Sequence, residues 1–187
     1  MRIPFVSALL LACMLGACST PKTAEQKKTL AETVQTVISD IKFQDPTVTK
    51  FFTDSYGYAV LPAVGKGGFI ISGAGGDGEV WQGGKLAGYC TMGQASIGAT
   101  VGGQGFNEFI FFKDKATYDS FVAGKFAMAA QASAVVVSSG AGAAAGYQNG
   151  VAVFVSGLSG AMLEASIGGQ NFKFVPASTP AAAPAKK

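Results

Sequence analysis

Histidine is absent from all 187 residues, and only 13% of the side chains are charged. Without histidine the chain lacks the commonest general base and the commonest metal ligand. The charged share is about half the usual one, while 49% of residues are apolar, which excludes disorder throughout. Fourteen basic and 11 acidic side chains leave a net charge of +3, too little and too scattered for a nucleic-acid surface. Carboxylates are only scattered, and no nucleophile–base pair can be assembled from local spacing, so binding is expected rather than catalysis. No enzyme activity, cofactor or metal is expected.

Cysteine is scarce too, with three in the chain. Residues 5–15 form an apolar run behind Arg2. It is too short to cross a bilayer with margin and reads as a secretory signal. The run closes on Leu15-Gly16-Ala17-Cys18, which resembles the bacterial lipobox. In that motif small residues admit the signal peptidase and the cysteine thiol accepts a diacylglycerol, with palmitate among the expected acyl groups. Cys13 would leave with the signal (residues 1–17), so the mature chain would keep Cys18, alkylated, and Cys90. A lone thiol makes no internal disulfide, and Cys90 is expected to be a small buried hydrophobe. Residues 18–25 form a lipidated tether, and Ser19, where an aspartate would favour the inner membrane, resembles outer-membrane cargo. At the other end, residues 177–187 read as a disordered Pro/Ala tail.

Residues 23–43 carry helical periodicity, with Leu30, Val34, Val37, Ile38 and Ile41 on one face. Lys27, Lys28 and Lys42 are balanced by Glu25, Glu32 and Asp40. A membrane-surface helix normally has a basic polar face, so this one is expected to pack on its own sheet. A second short helix is expected at Asp45-Pro46, burying Val48, Phe51 and Phe52.

Twenty-five of the 26 glycines lie between Gly57 and Gly169. Between them run short apolar or alternating segments: 58–61, 69–72, 79–82, 94–101, 109–112, 151–155, 162–167 and 172–175. Their lengths argue for strands in a meandering, mostly antiparallel sheet, curved enough to tend toward a barrel. Glycines within strands mark bends or close approaches. A helix is expected to interrupt the sheet, capped by Asp114, ended by Gly124 and burying Tyr118, Phe121 and Val122. Residues 57–76 echo residues 150–169, which leaves open either a duplicated hairpin or the chance self-similarity of Gly/Ala-rich sequence.

Gly73-Ala74-Gly75-Gly76-Asp77-Gly78 satisfies G-x-G-x-x-G, but strand-like Glu79-Val80-Trp81-Gln82 follows where a dinucleotide site needs a helix. A glycine-rich hairpin turn is the better reading, with Asp77 and Glu79 solvated. Residues 126–163 are 38 without a charge. Gln131, several serines and the turn sequence Gln148-Asn149-Gly150 interrupt them, which favours strands with small side chains over membrane helices.

Tyr56-Gly57-Tyr58-Ala59-Val60-Leu61-Pro62, Gly65-Lys66-Gly67-Gly68-Phe69 and Gly73-Ala74-Gly75-Gly76 together resemble the opening of the SYLF domain. Gly103-Gln104, the Phe-rich strand with its following helix, and residues 157–164 continue the likeness across residues 30–175. The resemblance implies a lipid-binding module, and bacterial members are exported proteins, often lipoproteins. It places Lys27, Lys28, Leu30 and Lys42 where a lipid-contacting helix begins the domain, and Lys66 in a K-x-G-F block. Lys66 reads equally as a head-group contact or as a turn lysine.

The expected fold is therefore mainly β with a few helices, an α+β domain over residues 26–176. A curved glycine-rich sheet or barrel-like body would follow an N-terminal amphipathic helix. The expected function is non-enzymatic lipid binding in the bacterial cell envelope, anchored at the outer membrane and facing the periplasm. The partner would be membrane lipid, anionic or otherwise offering a phospholipid head group. The alternative is a structural or assembly lipoprotein that binds another envelope protein through small-residue strands.

Overall fold

The computed structural model describes residues 20–21, 23–68, 71–97, 102–126, 134–159 and 169–177. Helix α1 (Ala24–Gln44) opens with a capping box. The Thr23 hydroxyl accepts from the Gln26 amide, and the Gln26 side chain accepts from the Thr23 amide, each at 3.1 Å. Two of the helix's orphan donors are satisfied this way. Val34, Val37, Ile38 and Ile41 are its buried stripe, as the periodicity requires. Asp45 then caps a single 3-10 turn (Pro46–Val48) that leads into α2 (Thr49–Asp54).

Strands β1 (Gly57–Gly68), β2 (Ile71–Gln82), β3 (Lys85–Ile97) and β4 (Gly102–Phe112) follow in succession. Helix α3 (Lys115–Val122) comes next, then β5 (Val135–Val136), α4 (Ala141–Ala144), β6 (Val151–Ser159) and β7 (Gln170–Pro176). All lie in one sheet of order β5-β6-β4-β1-β2-β3-β7. Every pairing is antiparallel except β5 with β6, which is parallel. The architecture is α+β, and the sheet is curved but open, with β5 and β7 as its edges.

Alternation along the strands gives the sheet two apolar faces. Phe109, Phe111 and Phe154 meet α1 and α2, with the Phe51 and Phe154 rings 4.9 Å apart edge-on. Phe112, Cys90, Met92, Val153 and Phe172 line the other face, which α3 covers through Tyr118 and Phe121. Cys90 is buried there, and burial pushes its thiol well above the ordinary range, so it behaves as the expected small hydrophobe.

Three expectations need correction. Residues 71–82 form one continuous strand, so the G-A-G-G-D-G segment is strand interior and the hairpin turn sits at Gly83-Gly84. Close packing explains two of the segment's glycines: a Cβ on Gly78 would lie 2.4 Å from the Val60 carbonyl oxygen, and one on Gly76 would lie 3.1 Å from Val64 Cγ2. Asp77 and Glu79 are accordingly not on a solvated turn, and Glu79 is buried. The long strand β3 went mostly unanticipated, because Lys85-Leu86-Ala87-Gly88-Tyr89 alternates weakly. Within the uncharged stretch, residues 141–144 turn as a short helix instead of a strand. The Gln148-Asn149-Gly150 turn holds, with Asn149 and Gly150 both at positive φ. The expected strand at 162–167 lies outside the described residues, as do Cys18 and the C-terminal tail from residue 178.

Candidate functional site

A groove of about 570 Å³ runs between the first half of α1 and the middle of β1 and β2. A break in strand register creates it. The pairing of β1 with β4 slips between Leu61 and Val64, and that of β1 with β2 slips between Val60 and Gly65. Pro62, which has no amide hydrogen to offer a ladder, sits in this bulge. Ala63 follows at φ 56°, a conformation rarely held by a residue with a Cβ, and its amide donates to Asn107 Oδ1 at 3.1 Å. The bulge turns Pro62 and Ala63 toward the helix.

Pro21, Leu30, Pro62 and Ala63 give the groove an apolar floor. Thr23, Thr29 and Thr33 line its helical side, and Glu25 and Asp77 bring negative charge. Among the described residues, no lysine or arginine lines it. An anionic head group therefore has no counter-charge inside, whereas an acyl chain meets methyl and ring carbons. The volume falls within the range of small-molecule sites, roughly 300–1,000 Å³.

The sheet under the groove is polar and ordered. Thr91 faces Asp77 across the β2–β3 ladder, and its hydroxyl donates to Asp77 Oδ1 at 2.8 Å. The Thr20 hydroxyl lies 3.0 Å from Thr91 Oγ1. With its only hydrogen committed to Asp77, Thr91 accepts from Thr20, and the entering chain is tied to the sheet through a two-step relay. Glu79, two residues on, accepts from the Trp81 indole at 3.1 Å. Burial raises the Glu79 carboxyl, and the indole bond pulls partly against it.

The residues suggested by the resemblance do not converge. Leu30 lines the groove. Lys27 Nζ lies 5.1 Å above the Tyr89 ring, beside the groove, while Lys28 pairs with Glu32 on the exposed side of α1 at 3.8 Å. Lys42 Nζ lies 4.5 Å over the Phe52 ring, 15 residues from Lys27 and about 22 Å further along the helix axis. Next to it Phe43 is 91% exposed, and a single exposed apolar side chain is ordinary on a protein surface. Lys66 is on β1 opposite Ala74 and Gln104, and its side chain lies outside the described set, as does Cys18. Pro62, Ala63, Asp77 and Thr91 were not singled out as site residues from sequence. A proline one step from the end of an apolar strand run was the available signal for the bulge.

Among the described residues no helix is long and apolar enough to cross a membrane, and no three acidic or cysteine side chains cluster as a metal site. No family model matches the chain. It is similar to "Beta cell expansion factor A" of Aeromonas veronii, with 27% identity over 153 residues. That alignment covers 81% of this chain but only 59% of the relative, less than two thirds of its length. The chain is thus a distant relative of that protein.

Proposed function

We propose that the chain is a non-enzymatic, lipid-anchored envelope protein whose SYLF-type domain binds the acyl part of a lipid in the groove between α1 and the β1 bulge. The observation that carries this reading is the groove itself, with its apolar floor of Pro21, Leu30, Pro62 and Ala63 and no described cation along its walls. The resemblance to SYLF domains supports lipid as the ligand class. Cys18 supports the anchor, because it stands two residues before Thr20, which is held at the sheet beside the groove. Extended chain reaches at most ~3.6 Å per residue, so the anchor point would lie within about 7 Å of Thr20. The groove would then open near the bilayer of the outer membrane, on its periplasmic side. Head-group selectivity is expected to be weak, since Lys27, Lys28 and Lys42 are dispersed along α1.

Mass spectrometry of lipids that co-purify with the chain from Ser19 onward tests this reading. Phospholipid or fatty acid at a stoichiometric level is expected. A lipid-free protein that instead brings down one defined envelope protein would favour the structural or assembly role.

A further inference from the structure

A buried carboxyl lies on the opposite face of the sheet, away from the groove. Alternation along β4 places Phe106, Glu108, Ile110 and Phe112 on the face covered by α3, and along β7 it places Gln170 and Phe172 there. Four steps of sheet order separate β4 from β7, through β1, β2 and β3. The sheet nevertheless curls enough for Gln170 Nε2 to donate to Glu108 Oε2 at 3.0 Å. Both side chains are 0% exposed.

This single bond leaves an imbalance. Glu108 Oε1 and Gln170 Oε1 are both buried without a hydrogen-bond partner among the described residues. Each is only an acceptor when the carboxyl is ionised, and an unmet buried acceptor is costly. Most of the described surroundings are apolar. β1 presents Leu61 and Val64, β6 presents Val153 and Val155, β2 presents Val80, and α3 presents Tyr118 and Phe121. β3 presents Met92, Cys90 and Gln94, the last in register with Gln170. No lysine or arginine is buried among the described residues. Among the described residues the titratable groups packed on this face are the Cys90 thiol and the Tyr118 and Tyr56 phenols; burial pushes the Cys90 and Tyr118 groups up, and none of the three is a cation.

One proton would satisfy both orphaned oxygens. Placed on Glu108 Oε1, it would donate to Gln170 Oε1 while the Gln170 amide donates back to Oε2. We propose that Glu108 is a proton-binding site, held as the neutral acid in a reciprocal two-bond ring with Gln170, and that this proton latches β7 to β4 across the curled sheet. The reaction is a simple acid–base equilibrium: loss of the proton to solvent leaves a carboxylate whose Oε1 faces another acceptor. Burial pushes the carboxyl up to about 7, against the opposing pull of the Gln170 bond, so the latch would loosen as pH rises through neutrality.

Glu108→Gln is the informative variant, because its amide can form the same ring at every pH. In the full chain, infrared spectra in heavy water one pH unit below neutrality should show a carboxylic-acid carbonyl band that fades above neutrality. E108Q should lack the Glu108 part of that band, which separates it from any contribution by Glu79. Hydrogen exchange of the β7 amides should be several-fold faster in wild type than in E108Q one unit above neutrality, and equal one unit below. Comparison at the same pH cancels the intrinsic pH dependence of exchange. Identical carbonyl spectra below neutrality, or identical β7 exchange above it, would overturn the proposal. If E108Q does not fold, carboxyl-labelled glutamate can be titrated by NMR in wild type and in Glu79→Gln. A remaining glutamate that titrates around neutrality is the expected result, and all glutamates titrating in the ordinary range is the contrary one.

Discussion

The hydroxyls of Thr20 and Thr91 meet at 3.0 Å although 71 residues separate them, and Thr91 passes the chain of hydrogen bonds to Asp77. The segment entering α1 is thereby fastened to the β2–β3 ladder at the place where the groove begins. Thr91→Val keeps the β-branched shape of the side chain but removes both bonds. It should lower stability by roughly 2 kcal/mol, since each such bond nets about 1 kcal/mol. Thr20→Val breaks only the first bond and should cost less. Urea unfolding of the two variants checks the order.

Asp45 has a comparable role at the other end of α1. It is buried, yet it accepts from the Gly142 amide at 2.6 Å, the Thr47 hydroxyl at 2.7 Å and the Thr47 amide at 3.0 Å. Burial alone would raise its carboxyl, but the bonds from Gly142 and Thr47 outweigh that and hold it below the ordinary value of 3.8. A depressed folded value means that this stabilisation is present above the unfolded pKa and is lost as pH falls through the folded one. Asp45→Ala should cost roughly 2–3 kcal/mol, as loss of a cap plus an unmet buried donor. Asp45→Asn should fall between, because its amide can turn only one acceptor toward these three donors. The acid limb of the unfolding profile should flatten in both variants.

Two glycines of the sheet make a contrasting pair. A Cβ on Gly78 would meet the Val60 carbonyl oxygen at 2.4 Å and Leu61 Cγ at 2.8 Å, whereas one on Gly93 would meet nothing within 4 Å. Gly78→Ala should be severely destabilising, since backbone must move. Gly93→Ala should stay within about 0.5 kcal/mol of wild type. Thermal unfolding of the two proteins separates these cases.

These glycines also mark how far the sequence could be read. Helix α1 was legible down to its buried stripe because Val34, Val37, Ile38 and Ile41 keep a 3.6-residue period and nothing in the sheet opposes it. The Asp45 and Asp114 caps were legible because capping is local chemistry. Residues 73–78 were not, since a glycine demanded by a neighbouring strand looks in sequence like a glycine demanded by a turn. Only the Val60–Gly78 approach, set by sheet pairing, tells them apart. The groove was hidden for a similar reason. It joins Leu30 to Pro62 and Asp77 through the register slip in β1, and no local spacing encodes that juxtaposition. Glu108 was likewise passed over as one acid in a Phe-rich strand, although a carboxylate amid Phe106, Phe109 and Ile110 signals burial.

Cys18 carries the anchoring reading. Cys18→Ala should block acylation and leave an unprocessed or mislocalised chain. One acyl chain gives only marginal anchoring, and a mature lipoprotein terminus supplies several. Detergent phase partitioning should therefore recover wild type in the detergent phase and processed, anchor-free protein in the aqueous phase. Equal partitioning of wild type and anchor-free chain would refute the anchor.

Vesicle co-sedimentation tests the groove most directly. The protein from Ser19 onward should bind zwitterionic phospholipid vesicles nearly equally at low and high salt, because apolar contacts are not screened whereas surface charge is, over about 10 Å at 0.1 M. Thr29→Trp places an indole on the exposed helical wall of the groove and should reduce binding several-fold, with an unchanged circular dichroism spectrum. Absence of binding by the unsubstituted protein at both salt concentrations, or full binding by T29W, would contradict the assignment of lipid to this groove.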